Sequence, residues 1–295
     1  MKTTRFWLAT AIVSVVIISG FQFSKAANEK AAATAVVPQN TATTPVVHKG
    51  MEARIDKITA RAKEGDVDLV FIGDSINQGW EGSGKEVWNK FYGERKAMNC
   101  GIGGDRTQHV LWRLDQGNID GIHPKLAVIM IGTNNSNGND NTAEEIGEGI
   151  KAIVGKVREK LPDTKILLLG IFPRGAYSDA QLEKGVMAQL KRDATKKGDD
   201  PEKIDTSDMP AKIAAAREVT MKQREKNAKA SEIASKLADN KMIFYMDIGP
   251  KFMDAEGTTI PDDVMPDHLH PNAKGYEIWA EAIEPKVKEL MGEKK

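Results

Sequence analysis

Five short runs of strand-forming residues punctuate this chain, and most are almost continuously apolar rather than alternating with polar residues. They are 68–72 (Asp-Leu-Val-Phe-Ile), a weaker 96–100, 126–131 (Leu-Ala-Val-Ile-Met-Ile), 165–170 (Lys-Ile-Leu-Leu-Leu-Gly) and 242–247 (Met-Ile-Phe-Tyr-Met-Asp). A strand without alternation is covered on both faces. Helical patterns fall between them, near 85–93, 107–115, 143–160 and 211–239, with a last one over 273–291. Ahead of the first strand, Ile55, Ile58 and Ala62 have the spacing of a short amphipathic helix within 51–64. Strands and helices in this rhythm predict an α/β fold, a parallel sheet with helices on each side. Ligands of such sheets bind beyond the C-terminal ends of the strands.

The 295 residues suffice for one large domain or two small ones. A formal net charge of zero gives no electrostatic footprint for nucleic acid. The single cysteine, Cys100, excludes an intramolecular disulfide framework and a multi-cysteine zinc site. At a strand end, Cys100 reads as a small buried hydrophobe.

Residues 1–27 read as a targeting segment. Lys2 and Arg5 precede a mostly apolar run from Phe6 to Phe21, and Ser24-Lys25-Ala26 followed by Ala27 fits a small-residue cleavage site. A cleaved signal implies a secreted or periplasmic protein, slightly acidic once Lys2, Arg5 and Lys25 are gone. The alternative is an uncleaved anchor, the one case in which the chain would touch a membrane. Residues 28–49, rich in Ala, Thr, Val and Pro, read as a disordered tether, which leaves 50–295 as the folded domain. Residues 177–222 break the rhythm. They are dense in Lys, Asp, Glu and Ala, and read as a charged, partly helical surface insertion, either a solvated excursion or a mobile cover over the site.

Three patches carry chemistry. Gly73-Asp74-Ser75 follows the first strand, Gly132-Thr133-Asn134 follows the third, and Asp267-His268-Leu269-His270 precedes the last helix. A serine hydroxyl is a weak nucleophile until a base takes its proton. His270 can be that base, and Asp267 can orient it and stabilise the imidazolium. Gly103-Gly104 after the second strand, the Asn134 amide and the Ser75 N–H are candidate donors to an oxyanion. Asp74 beside the serine and Arg174 after the fourth strand could touch substrate, although an ion pair is the plainer reading for Arg174.

Set in order, Asp68 to Ser75, Asn99 to Asp105 with His109 to Leu114, Gly132 to Asn135, and Asp267-x-x-His270 resemble the blocks of the SGNH (GDSL-type) esterases. The run 99–114, and Phe172-Pro-Arg-Gly175, look closest to the catalytic subunits of the intracellular platelet-activating-factor acetylhydrolase and their bacterial relatives. The resemblance covers 67–175 and 240–285. It implies a three-layer, flavodoxin-like α/β/α fold and hydrolysis of small acyl esters without metal or other cofactor. It also implies Ser75 as nucleophile, Asp267 and His270 completing a triad, and an oxyanion hole made of Ser75, Gly104 and Asn134. Those subunits pair up, which leaves a homodimer open. The insertion and the export signal are foreign to them and shift the expected substrate from a phospholipid toward extracellular esters such as acetylated glycans.

Other patterns carry less. Gly79 to Lys85 has P-loop spacing, but Glu86 stands where a magnesium-binding Ser or Thr is needed, so no nucleotide is expected. His268 and His270 lack a companion cluster of metal spacing, and His268 reads as a loop residue. Trp80, Trp88, Trp112 and Trp279 read as core or rim. Two functional alternatives remain: a silent relative that captures acylated glycans, and an acyltransferase using the same triad.

Overall fold

The apolar runs form the five strands expected of them. The computed structural model describes residues 39–294. In chain order the helices and strands are α1 (Glu52–Lys63), β1 (Leu69–Gly73), α2 (Ser75–Gln78), α3 (Lys85–Tyr92), β2 (Ala97–Gly101), α4 (Thr107–Asp115), β3 (Leu126–Met130), α5 (Ala143–Lys160), β4 (Lys165–Leu169), α6 (Asp179–Lys197), α7 (Met209–Ser235), β5 (Ile243–Met246) and α8 (Ala273–Met291). Every pairing is parallel and the order is β2-β1-β3-β4-β5. The winding reverses between β1 and β3, which opens a crevice at their C-terminal ends.

Alternate residues of each strand serve opposite layers. Val70, Ile72, Ala127 and Ile129 pack under α1, α4 and α5, against Ile55, Ile58, Val110, Ile146 and Ile150. Leu69, Phe71, Val128 and Met130 face α3 and α8, against Tyr92, Trp279, Ile283 and Val287. The second layer is aromatic: Trp80 and Trp279 ring centroids lie 4.9 Å apart and Phe71 meets both edge-on. Trp80, Trp279 and Cys100 are buried as expected, whereas Trp88 and Trp112 are only partly covered. β5, at the sheet edge, is only half-buried along its length.

The helices begin where sequence chemistry starts them. Thr142 and Glu145 form a reciprocal capping box at α5, and Ser178 and Gln181 do the same at α6. Pro210 sits in the first turn of α7, where its missing N–H costs nothing.

One expectation changes. The expected signal segment and the first part of the tether lie outside the described residues, but the tether prediction fails from Asn40 onward. Asn40 caps a short 3-10 turn over Thr41–Thr43, accepting from Ala42 N at 2.9 Å. Ala42 is fully buried, and its carbonyl accepts the Thr107 hydroxyl at 2.7 Å. The Asn40 amide reaches the Glu145 carbonyl at 3.4 Å. Residues 40–49 thus form a strap across α4 and α5. A polar Ala/Thr/Pro stretch carries no periodicity, so partners a hundred positions away, rather than local preference, order it.

The insertion is helical as expected, and its two helices, α6 and α7, form a hairpin. Its outer part is solvated, with Leu182 and Met209 the buried apolar side chains. Its two roots are packed. Gln181 Nε2 donates to Asp262 Oδ1 at 2.6 Å, and the Tyr177 ring packs at a tilt against His268 with centroids 4.1 Å apart. On the other leg, Asn227 Nδ2 donates to Thr133 Oγ1 at 3.3 Å, and Lys226 Nζ to the Gly138 carbonyl at 2.9 Å.

Candidate active site

The first patch is built by the sharp exit from β1. A Cβ on Gly73 would lie 2.4 Å from the Met130 carbonyl and from Asn77 Oδ1, so the chain turns here only with glycine. Asp74 then caps α2, its Oδ1 accepting from Ile76 N at 3.0 Å. Ser75 is the first residue of α2, so its N–H is one of the helix-start donors without an intrahelical acceptor.

The loop before α8 brings the acid and the imidazole to this serine. Asp267 Oδ1 accepts from the N–H groups of Leu269 (3.0 Å) and His270 (2.7 Å), folding the loop back on itself. Asp267 Oδ2 stands 2.6 Å from His270 Nδ1, and His270 Nε2 stands 2.9 Å from Ser75 Oγ. With Nδ1–H donating to the carboxylate, Nε2 presents its lone pair to the serine hydroxyl. Partial burial works upward on the Asp267 pKa, but the hydrogen bonds from the His270 side chain and backbone outweigh it and hold it at about 2. The same side-chain bond raises the His270 pKa above the ordinary histidine value, against the opposing effect of burial.

The expected oxyanion donors are ranged on the neighbouring strand ends. Gly104 has φ +77°, and a Cβ there would sit 3.2 Å from His48 Cε1. The Gly103 N–H is already given to Gln78 Oε1 at 2.6 Å, whereas the Gly104 N–H has no partner among the described residues. Asn134 Nδ2 donates one hydrogen to the Asp105 carbonyl at 2.9 Å, which leaves the second for a ligand.

Asp74 departs from its expected role as a substrate contact. It is 1 % exposed and turned inward, and its Oδ2 has no hydrogen-bond partner among the described residues. Burial, reinforced by the nearby Asp105 carboxylate, pushes its pKa up to about 7. Its work is to hold Ser75 at the helix start. Arg174 departs from the expected ion pair: among the described residues no carboxylate closes on it. Its Nη1 instead donates to the Thr133 carbonyl (3.0 Å), Thr133 Oγ1 (3.4 Å) and Asn137 Oδ1 (3.1 Å). His268 lies on the loop as expected, yet it is buried, with Nε2 3.1 Å from Asp262 Oδ1.

A polar network beneath the site was not anticipated from sequence. The Asp105 carboxylate is fully buried between Arg113 Nε (2.7 Å) and His48 Nδ1 (2.8 Å). Arg113 also donates to the carbonyls of Cys100 (2.7 Å) and Gly73 (3.2 Å), tying the ends of β1 and β2 together. With His109, whose ring stacks on His48 at 4.4 Å, these residues bring three possible metal-ligand atoms within 4.8 Å of one another. Each of the three already takes part in hydrogen bonds, however. Asp105 takes Arg113 and His48, and His109 Nδ1 accepts the Arg106 N–H at 3.2 Å. The arrangement is a hydrogen-bond network supporting the loop after β2. The signal that could have found it is the Asp105–Arg113 spacing, one carboxylate and one guanidinium eight residues apart across a helix start.

A cavity of about 520 Å³ between α7 and β5, lined by Ile171, Asn227, Tyr245 and Asp247, contains neither Ser75 nor His270. The serine, imidazole and carboxylate instead lie at an open crevice, with the His270 side chain 43 % exposed.

Known proteins match this architecture. Residues 71–278 match the model of the GDSL-like lipase/acylhydrolase family. The chain is 31% identical over 238 residues to human platelet-activating factor acetylhydrolase IB subunit alpha1, covering 80% of this chain and 82% of that protein. It is 44% identical over 113 residues to the rat alpha2 subunit, covering 38% of this chain and 47% of that one. Among solved structures, a GDSL-like lipase from Bacteroides thetaiotaomicron superposes with a TM-score of 0.51 at 18% identity, over 91% of this chain and 98% of that one. A candidate acylhydrolase from Bacteroides fragilis does so with a TM-score of 0.55 at 17% identity, over 81% and 98%. Matched over most of its folded length by model and relatives alike, this chain belongs to the GDSL-like lipase/acylhydrolase family and is a carboxylic ester hydrolase.

Proposed function

We propose that the chain is an exported serine esterase that removes short acyl groups, chiefly acetyl, from esters such as O-acetylated carbohydrates, through a covalent acyl-enzyme. The observation that carries this reading is the continuous chain of hydrogen bonds Ser75–His270–Asp267 at 2.9 and 2.6 Å. The relatives support the acetyl preference through their own acetylhydrolase activity. Export rests on the reading of residues 1–27.

In the first half-reaction Ser75 Oγ attacks the acyl carbon while its proton passes to His270 Nε2. The imidazolium is stabilised by Asp267, which is well set for this because its low pKa keeps it ionised. The oxyanion is received by the N–H groups of Ser75 and Gly104 and the spare Asn134 amide hydrogen. His270 then gives its proton to the departing alkoxide, leaving acyl-Ser75. Water attacks this ester with His270 again taking the proton, and collapse returns Ser75 Oγ–H and a free carboxylic acid. Each oxyanion donor is worth about 3 kcal/mol in such a step.

The test is hydrolysis of p-nitrophenyl acetate by wild type and by Ser75→Ala, with fluorophosphonate labelling of Ser75. Activity and labelling that both vanish in the variant support the reading. Labelling without hydrolysis in wild type points to a transferase, for which an added sugar acceptor becomes the product. Neither labelling nor hydrolysis overturns the esterase reading in favour of a binding protein.

A further inference from the structure

We propose that Arg174 forms an anion subsite, and that the ester cleaved is carried by an alcohol bearing a carboxylate or phosphate group. This rests on the esterase reading above and extends it from the acyl group to the alcohol.

The case begins with what Arg174 does not do. All three of its hydrogen bonds leave from Nη1, to the Thr133 carbonyl and hydroxyl and to Asn137. The opposite edge of the guanidinium, Nε and Nη2, makes no hydrogen bond among the described residues, and neither atom is among those sealed from solvent without a partner. The other arginines that bond to the strand ends are closed onto carboxylates. Arg54 pairs with Glu81 through two bonds, and Arg113 pairs with Asp105. Arg174 has no such partner within ion-pair distance among the described residues.

Its placement makes that vacancy useful. Thr133, to which it is pinned, directly precedes Asn134. Gly175, the neighbour of Arg174, donates to the His268 carbonyl at 3.0 Å, on the loop that carries His270, and the Arg174 charge acts on Asp74 and on His270. Neither nearby acid can satisfy it, since Asp74 faces inward and Asp267 is held by His270. Burial works against the charge of Arg174 and lowers its pKa, the situation that an incoming anion relieves. The Nε–Nη2 edge is the planar fork that takes carboxylate or phosphate oxygens in pairs. With Nη1 held by Thr133 and Asn137, little order is lost when a ligand docks on that fork.

The test uses three matched esters: mono-O-acetylated methyl glucuronoside (carboxylate), mono-O-acetylated methyl glucoside 6-phosphate, and mono-O-acetylated methyl glucoside (neutral). For wild type, kcat/KM on one anionic ester exceeds that on the neutral ester by roughly 10- to 100-fold, the worth of a charged hydrogen-bonded contact. Most of the gain lies in KM, and the preferred ester tells carboxylate from phosphate. Arg174→Gln brings the ratio close to one, and Arg174→Lys, a charge without the fork, restores part of it. The inference is overturned if wild type shows no anionic preference, or if Arg174→Gln lowers all three esters by one factor, as loss of loop support alone would do. Calorimetric titration of Ser75→Ala with methyl glucuronoside and with inorganic phosphate reads the subsite without turnover. Binding that Arg174→Gln abolishes sustains the subsite even if the esterase reading fails, and no binding of either probe sinks it.

Discussion

The Asn134 side-chain amide donates to the main-chain carbonyl of Asp105 at 2.9 Å, so the residue after β3 and the loop after β2 are held as one unit. The bond spends one amide hydrogen on fixing the direction of the other. Asn134→Ala is therefore expected to lower kcat on p-nitrophenyl acetate about 10²- to 10³-fold with a much smaller change in KM, because the donor acts mainly in the transition state. An unchanged kcat removes Asn134 from the oxyanion hole.

The pH dependence follows from the raised pKa of His270. The base must be neutral to accept the serine proton, so kcat/KM rises with pH through a midpoint above the ordinary histidine value. Asp267→Asn removes the main cause of that rise. Its midpoint should shift to lower pH, with kcat down by up to about 10⁴-fold, the loss known for the corresponding change in serine proteases. A pH–rate profile of both proteins checks direction and size, and a midpoint that moves upward contradicts the assignment.

Removing one partner of a buried ion pair leaves the other charge uncompensated. Asp105→Ala strands the buried Arg113 and frees His48, with an expected loss of about 3–5 kcal/mol in urea unfolding. Exchanging surface ion-pair residues such as Lys151 or Glu148, both more than half exposed, should change stability by less than about 1 kcal/mol.

Tyr177 touches the acid–His loop in two separable ways. Its hydroxyl donates to the Asp267 carbonyl at 3.3 Å, and its ring packs at a tilt against His268. Tyr177→Phe keeps the ring contact and should cost kcat about fivefold or less, the worth of one hydrogen bond. Tyr177→Ala loses both and should cost severalfold more. Equal effects in the two variants would assign the whole contribution to the hydroxyl.

The strands and the Ser75–His270–Asp267 group were legible in the sequence because each depends on local pattern: a doubly covered strand is an apolar run, and an acid three residues before a histidine folds into one turn. The strap at 40–49 was not legible, since Ala42 and His48 owe their order to Thr107 and Asp105, far along the chain. The ion-pair reading of Arg174 fails for a related reason. Sequence shows a cation after a strand but not whether a carboxylate lies opposite, and among the described residues none does. Asp74 was misread because the N-cap that turns it inward is settled by the backbone at the end of β1.

The roots of the hairpin stand on opposite banks of the crevice, Tyr177 and Gln181 on the loop that carries Asp267 and His270, Asn227 and Lys226 on the loop that carries Asn134. The insertion is thus not a detachable module. A shorter relative that lacks it must brace both banks with other residues, and grafting the hairpin elsewhere would transplant only its solvated tip. Trimming between the legs while keeping these four contacts is the way to alter the outline of this enzyme without disturbing the spacing of its reactive groups.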